Sequence, residues 1–258
     1  MALSRFSVPL SLQPEVVSMR KSYFISDLHL TEHRPDITAA FYRFLEQHMR
    51  EDVDALYILG DFFEVWIGDD EGNPLALEIA AKLRAISERG IKLFFIHGNR
   101  DFLVGQHYAD LCGMTLLPEQ AVIDLYGTQT VILHGDEMCT QDEVYQKFRK
   151  KSRGWWWPRL MLSMPLWYRR RVARNARAKS KQSQMGKAPE ILDVTEEAVL
   201  AMFAHHQVSN MIHGHTHRPN VHQHQDKTRT VLGDWYSQSS YLVVTEQGQS
   251  LTQHPFSD

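Results

Sequence analysis

Five hydrophobic runs in this chain each end in side chains able to bind a metal: Asp27-Leu28-His29, Gly60-Asp61, Gly98-Asn99-Arg100-Asp101, His134-Gly135-Asp136 and Gly214-His215-Thr216-His217. An α/β sheet brings such ends together, because the carboxyl ends of its parallel strands share one edge. A single Asp-x-His or Gly-Asp pair is weak evidence, since ordinary turns use the same residues. The ordered set is different: it supplies enough hard and borderline donors for two adjacent divalent cations, the arrangement of a dinuclear hydrolase.

Hydrophobic periodicity predicts strands over 22–26, 55–59 and 91–97, alternating with helices over 36–50 and 74–89, a βαβαβ opening. A short helix follows near 105–111. Alternating runs at 121–126 and 130–134 about Gly127-Thr128-Gln129 then predict a hairpin ending at His134. A helix over 190–205 leads to a strand at Asn210-Met211-Ile212-His213 that stops at the last motif, and two or three strands finish the chain. In an extended segment Asp27 and His29, two residues apart, share a face and can chelate one ion, and His215 and His217 repeat that geometry. Asp61 has two oxygens and follows Gly60, where the backbone can turn sharply, so it is the natural bridge between two ions.

A chain of 258 residues with 43% hydrophobic content supports one main domain with an insertion. Cys112 and Cys139 form no CxxC pair and fit reduced structural thiols in a reducing compartment. Residues 1–18 form an N-terminal extension whose apolar stretch is broken by Pro9 and does not resemble a signal peptide. No run reaches the roughly 18 to 20 apolar residues of a membrane span.

Charge is unevenly spread. Residues 143–187 hold 14 of the 28 Lys and Arg, a single acid (Glu143) and four of the six Trp. Pro158 and Pro165 suit helix starts there. Arg170, Arg174, Arg177 and Lys181 fall on one basic helical face, preceded by Leu160, Met161, Leu162, Met164, Leu166 and Trp167, flexible apolar surface suited to alkyl chains. A lid over a lipid-bearing substrate, a nucleic-acid surface and a solvated subdomain compete as explanations. Nucleic-acid binding calls for aromatics interleaved with the basic residues, whereas here the aliphatic cluster comes first, which favours the lid. Trp beside Arg also suits a membrane interface.

The motifs D-x-H, G-D, G-N-[HR]-[DE], H and G-H-x-H, in this order, resemble those of the calcineurin-like metallophosphoesterases over residues 22–140 and 190–240. The resemblance implies an α/β fold with a layered β core flanked by helices, here with an inserted helical lid over 141–189 and a core of 19–140 and 190–258. It further implies that Asp27, His29, Asp61 and His217 hold one ion and Asp61, Asn99, His134 and His215 the other. Such donors suit Mn²⁺, with Mg²⁺, Fe²⁺ and Zn²⁺ as competitors.

Many members of that superfamily carry His where this chain has Arg100. Arginine cannot act as a general acid, but its fork can stabilise charge on a phosphoryl oxygen. The site therefore favours a leaving group that is already a good anion, as in diphosphate cleavage. The plainer alternative is that Arg100 pairs with Asp101 or another acid.

With the insertion included, nearly all of residues 20–250 resemble the branch of the superfamily that acts on an acylated UDP-sugar in lipid A synthesis. That resemblance implies attack of water at the α-phosphorus, release of UMP, and peripheral association with the cytoplasmic face of the inner membrane, with no nucleic-acid partner. It carries catalytic roles to Asn99, Arg100 and His215 and substrate contacts to those three plus Asp142, Ser180, Gln184 and Lys187. Gln184 departs from the Asn of the pattern. Rival readings are a pyrophosphatase or phosphodiesterase of soluble nucleotides, and a scaffold that binds partners without turnover. Glu64, Asp69, Asp70 and Asp136 are candidates for orienting the ligand histidines. His205, His206, His213, His222 and His224 read as ordinary surface or core histidines.

Overall fold

The computed structural model describes residues 19–184, 186 and 188–256, the side chains of Lys181, Gln184 and Pro189 excepted. The N-terminal extension expected at 1–18 lies outside this range. Strands β1 (Lys21–Ile25), β2 (Val53–Leu59), β3 (Lys92–Ile96) and β4 (Met114–Leu116) run parallel in that order, and β10 (Gln238–Thr245) and β11 (Gly248–Pro255) extend the sheet antiparallel beyond β1. A second sheet has the order β5 (Gln120–Leu125), β6 (Thr128–Leu133), β7 (Asn210–His213), β9 (Lys227–Val231), β8 (Asn220–His224).

The two sheets share a buried core that includes Phe24, Tyr57, Leu59, Ile96, Ile132, Ile212, Leu232 and Leu242. Since the first sheet is covered on both faces, β2 reads as a nearly continuous hydrophobic run rather than an alternating one. Its other face is covered by α1 (Pro35–His48), α2 (Pro74–Ser87) and α3 (Gln106–Cys112). In α1, buried Ile37, Ala40, Phe41, Phe44 and Leu45 recur at helical spacing and form one apolar stripe. In α2, Asn73 caps the start by accepting from the Ala76 N–H. Helix α7 (Glu196–His206) covers the second sheet through Val199, Met202 and Phe203.

The βαβαβ opening, the short helix and the hairpin stand where expected. Two expectations fail. The helix expected over 190–205 is a single 3₁₀ turn at Pro189–Leu192 followed by α7, because Asp193 is extended and the Thr195 side chain accepts from the Ala198 N–H to start a new helix. Four strands, not two or three, follow the last motif, and the three-residue β4 went unanticipated, being too short to show a period.

The inserted segment forms α4 (Glu143–Ser152), α5 (Trp157–Ser163) and α6 (Leu166–Gln184). Pro158 lies in the first turn of α5, and Pro165 immediately precedes α6. Its charged face is only partly solvated: Arg169 pairs with Asp70 and donates to the Ile67 carbonyl, Arg170 pairs with Glu71, and Arg177 pairs with Glu64. Arg169, which falls outside the basic face expected at Arg170, Arg174, Arg177 and Lys181, is the most buried of these, with 3% of its side chain exposed. At the other end Arg149 binds Asp136 and Glu119, and Arg153 binds Glu119 and the Gly98 carbonyl.

Candidate metal centre

All seven expected ligands converge. Asp27 and His29 follow β1, Asp61 follows β2, Asn99 follows β3, His134 follows β6, and His215 and His217 follow β7. Gly60 and Gly98 bring two of these ends into contact. A Cβ on Gly60, at φ +84°, would lie 2.5 Å from the Gly98 Cα, so only paired glycines let the loops approach this closely. Asp101 then locks the junction by accepting from the N–H groups of Gly98 at 2.8 Å and Phe62 at 2.7 Å. Asp27 ties the first motif to the last, its Oδ2 accepting from the His215 N–H at 2.9 Å.

The expected extended geometry of the paired ligands is wrong. Asp27, His29, Asp61, His215 and His217 all have positive φ, between 51° and 70°. They are five of the eight non-glycine residues with positive φ among those described. Each such residue carries backbone strain of about 1–3 kcal/mol, which persists only where the surroundings enforce it and which clusters at functional sites. The side chains thus meet through tight left-handed loops, not through strand alternation.

Two groups of donors lie on either side of Asp61. On one, His29 Nε2 is 3.9 Å from Asp61 Oδ2 and 3.5 Å from His217 Nε2, which is itself 3.2 Å from Asp27 Oδ1. On the other, His134 Nε2 is 3.7 Å from Asp61 Oδ1, and Asn99 Oδ1 lies 3.1 Å from His134 Nε2 and 3.0 Å from His215 Nδ1. Asp61 therefore offers one oxygen to each group, as a bridge must.

The chemistry of the donors fits cations. His134 Nδ1 donates to the Leu59 carbonyl at 2.8 Å and its Nε2 faces the Asn99 oxygen at 3.1 Å; burial opposes charge on this ring, yet Asp61, Asp27 and Asp136 raise it above the usual imidazole value, so the pocket favours positive charge. His217 Nδ1 lies 3.2 Å from Asp234 Oδ2, and His29 Nδ1 lies 3.4 Å from Glu64 Oε2, so these rings too have their outer nitrogens on carboxylates and Nε2 turned inward. Burial, with Asp101 and Asp27 beside it, pushes Asp61 up to about 7. Burial opposes charge on His217, yet Asp27 and Asp234 raise it to about 10, whereas burial and His134 lower His215 to about 4. A proton on His217 thus supplies part of the positive charge this carboxylate cluster demands.

Arg100 sits at the rim, its Nε 3.6 Å from Asp61 Oδ2 and Nη1 3.5 Å from Glu64 Oε2. Its acidic neighbours are these two, not Asp101. Asp69 does not orient a histidine: it accepts from Gly105 N, Tyr108 N and Trp66 Nε1. Asp70 holds α6 through Arg169, and Asp136 is bound by Tyr145 and Arg149. Asp142 caps α4, accepting from Tyr145 N at 3.1 Å, and Ser180 is exposed on α6. The side chain of Gln184 and all of Lys187 lie outside the described residues.

Three further residues at the site are not among those expected from the sequence. Asp234 ends the run Val231-Leu232-Gly233 and carries the same strand-end signal as the five motifs, so it was findable. Tyr145 stacks on His215 with ring centroids 6.1 Å apart, and Tyr236 stacks on His29 at 5.3 Å. Neither has a local signature.

Residues 21–219 match the family model for calcineurin-like phosphoesterases. The protein called UDP-2,3-diacylglucosamine hydrolase of Shigella sonnei (strain Ss046) is 49% identical over 237 residues, covering 90% of this chain and 98% of that one. The protein of the same name from Escherichia coli O7:K1 is 48% identical with the same coverage. The chain belongs to the calcineurin-like phosphoesterases, in the UDP-2,3-diacylglucosamine hydrolase family. The candidate ligands stand at the carboxyl ends of strands of both sheets, where α/β folds place ligands.

Proposed function

We propose that the protein hydrolyses the diphosphate of UDP-2,3-diacylglucosamine by attack of water at the α-phosphorus, giving UMP and 2,3-diacylglucosamine 1-phosphate. The observation that carries the reaction class is the pair of Asp61 oxygens, each facing its own set of imidazole and oxygen donors. The substrate rests on the names of relatives almost half identical over nearly their whole length.

Asp27, His29, Asp61 and His217 would hold one ion and Asp61, Asn99, His134 and His215 the other; Mn²⁺ suits this mixture of oxygen and imidazole. Bound there, two divalent ions supply charge neutralisation at the phosphoryl oxygens and acidify water. The chain's residues do the rest. Arg100 presents its guanidinium to the phosphoryl oxygens and holds developing charge, and Asn99 and His215 flank the same group. Arginine gives up no proton, and none is needed, because the sugar 1-phosphate departs as a stable anion. Asp142, Ser180, Gln184 and Lys187 are the further substrate contacts we propose.

Residues 141–189 act as the lid on a core of 19–140 and 190–258. Trp155 and Trp167 are 78% and 67% exposed, and Trp156, Leu160 and Leu162 are exposed; Arg159, which lies over the Trp155 ring, and Arg170, Arg171 and Arg174 are exposed on the same segment. Among the described residues no helix is long and apolar enough to cross a membrane. This apolar and cationic surface suits contact with an anionic lipid surface, the cytoplasmic face of the inner membrane.

The reaction is tested with UDP-2,3-diacylglucosamine in mixed micelles and ¹⁸O water, with Mn²⁺ present and then chelated. The expected result is label in UMP, lost on chelation, and turnover of UDP-glucosamine lower by at least about tenfold, equivalent to some 1.4 kcal/mol of lost acyl-chain contact. Label in the sugar phosphate, or equal rates with and without acyl chains, would overturn it. The surface is tested by vesicle sedimentation. Changing both Trp155 and Trp167 to Ala should weaken binding to phosphatidylglycerol-containing vesicles about tenfold or more, since each ring buries large apolar area. Unchanged sedimentation would remove the lid from the membrane contact.

A further inference from the structure

We propose that Glu64 is a positioning residue that couples the lid to the metal centre. This rests on the dinuclear site proposed above. The backbone fixes where Glu64 stands: its N–H donates to the Leu30 carbonyl at 3.1 Å, and the Leu30 N–H donates to the Phe62 carbonyl at 2.8 Å. Leu30 and Phe63 form an isolated parallel bridge, so the loop after β2 is stitched to the loop after β1, one residue beyond His29.

From that position one carboxylate serves three cationic or proton-bearing groups. Oε2 lies 3.4 Å from His29 Nδ1 and 3.5 Å from Arg100 Nη1. Glu64 Oε2 and His29 Nδ1 are both buried without a well-formed hydrogen bond, and a shift of a few tenths of an ångström would make one between them. Oε1 and the Glu64 carbonyl are both taken by the Arg177 guanidinium of α6. The lid is thus fastened to the carboxylate that faces the outer nitrogen of a ligand histidine.

The coupling has a definite direction. A cation on His29 Nε2 makes Nδ1–H a stronger donor and fixes the Glu64 carboxylate. A fixed carboxylate gives Arg177 a fixed anchor. Linkage requires that the two effects be reciprocal.

Mn²⁺ affinity, measured by the paramagnetic resonance of free Mn²⁺, and amide hydrogen exchange of α6 test this without substrate. Glu64→Ala should weaken Mn²⁺ binding about 10- to 100-fold, the usual consequence of losing the outer partner of a metal-bound histidine. Glu64→Gln, whose amide oxygen still accepts from Nδ1–H, should lose less, and it carries the test if the alanine variant folds poorly. In the wild type, Mn²⁺ should slow exchange around Arg177, and Glu64→Ala should abolish that slowing. Wild-type affinity in both variants, or Mn²⁺ protection of α6 undiminished in Glu64→Ala, would overturn the role of Glu64 alone. A wild type that binds no Mn²⁺ would overturn the dinuclear site as well.

Discussion

Changing Asp61 to asparagine should abolish turnover while leaving the metal-free protein at least as stable as the wild type. Asp61 is buried at 2% exposure, and burial together with Asp101 and Asp27 pushes it up to about 7. Asparagine keeps the volume and an oxygen to accept from the Arg100 N–H, now 2.8 Å from Oδ1, but it cannot offer two anionic oxygens. Loss of a bridging charge removes several kcal/mol of stabilisation, about 10³-fold or more in rate.

Stability moves the other way. A carboxyl whose folded pKa is raised from 3.8 to about 7 binds its proton more tightly in the folded state. Without metal, its contribution therefore falls as pH rises through that window, and asparagine escapes the loss. Melting in chelator at pH 8 should show the variant no less stable than the wild type, and added Mn²⁺ should raise the wild-type midpoint far more than that of the variant. An Asp61→Asn enzyme within tenfold of wild type, or one that melts well below it in chelator, would refute this account.

The sequence made the candidate ligands legible because metal-binding chemistry restricts such residues to Asp, Asn and His, and because parallel strands release their polar residues at one edge. The periodicity of β1, β2, β3, α1 and α2 was legible for the same reason that those elements are stable, since each buries one stripe or a continuous run. The backbone of the ligand loops was not. Left-handed φ at Asp27, His29 and His217 occurs in loops held by long-range backbone bonds, as in the Leu30 N–H to Phe62 carbonyl bond that joins the loop after β1 to the loop after β2, and nothing local in an Asp-x-His pair announces it. Arg153 is illegible for a related reason. It reads as one more cation in a basic segment, yet it reaches back 55 residues to bind the Gly98 carbonyl, next to the ligand Asn99. Glu64 and Asp234 differ from it: each stands close behind a strand end, where the sequence does point, and only the histidine it faces is set by the fold.

Arg100→Ala should lower kcat by about 10²–10³, the usual range for a group that stabilises transition-state charge, with KM changed much less. Those two parameters separate the possible roles. A group that grips the diphosphate equally before and during reaction would raise KM and leave kcat alone. Arg100→Lys should fall between wild type and alanine, since it keeps the charge and loses the fork. Metal binding supplies the control: Arg100 is a fixed positive charge 3.6 Å from Asp61 Oδ2 and 3.5 Å from Glu64 Oε2, so its removal should leave Mn²⁺ affinity undiminished or higher. A rate defect accompanied by weaker Mn²⁺ binding would mean that Arg100 serves the centre by holding Asp61 and Glu64 in place. A rate defect with Mn²⁺ binding intact would place its guanidinium on the phosphoryl group, the assignment that lets this site cleave a diphosphate without a general acid.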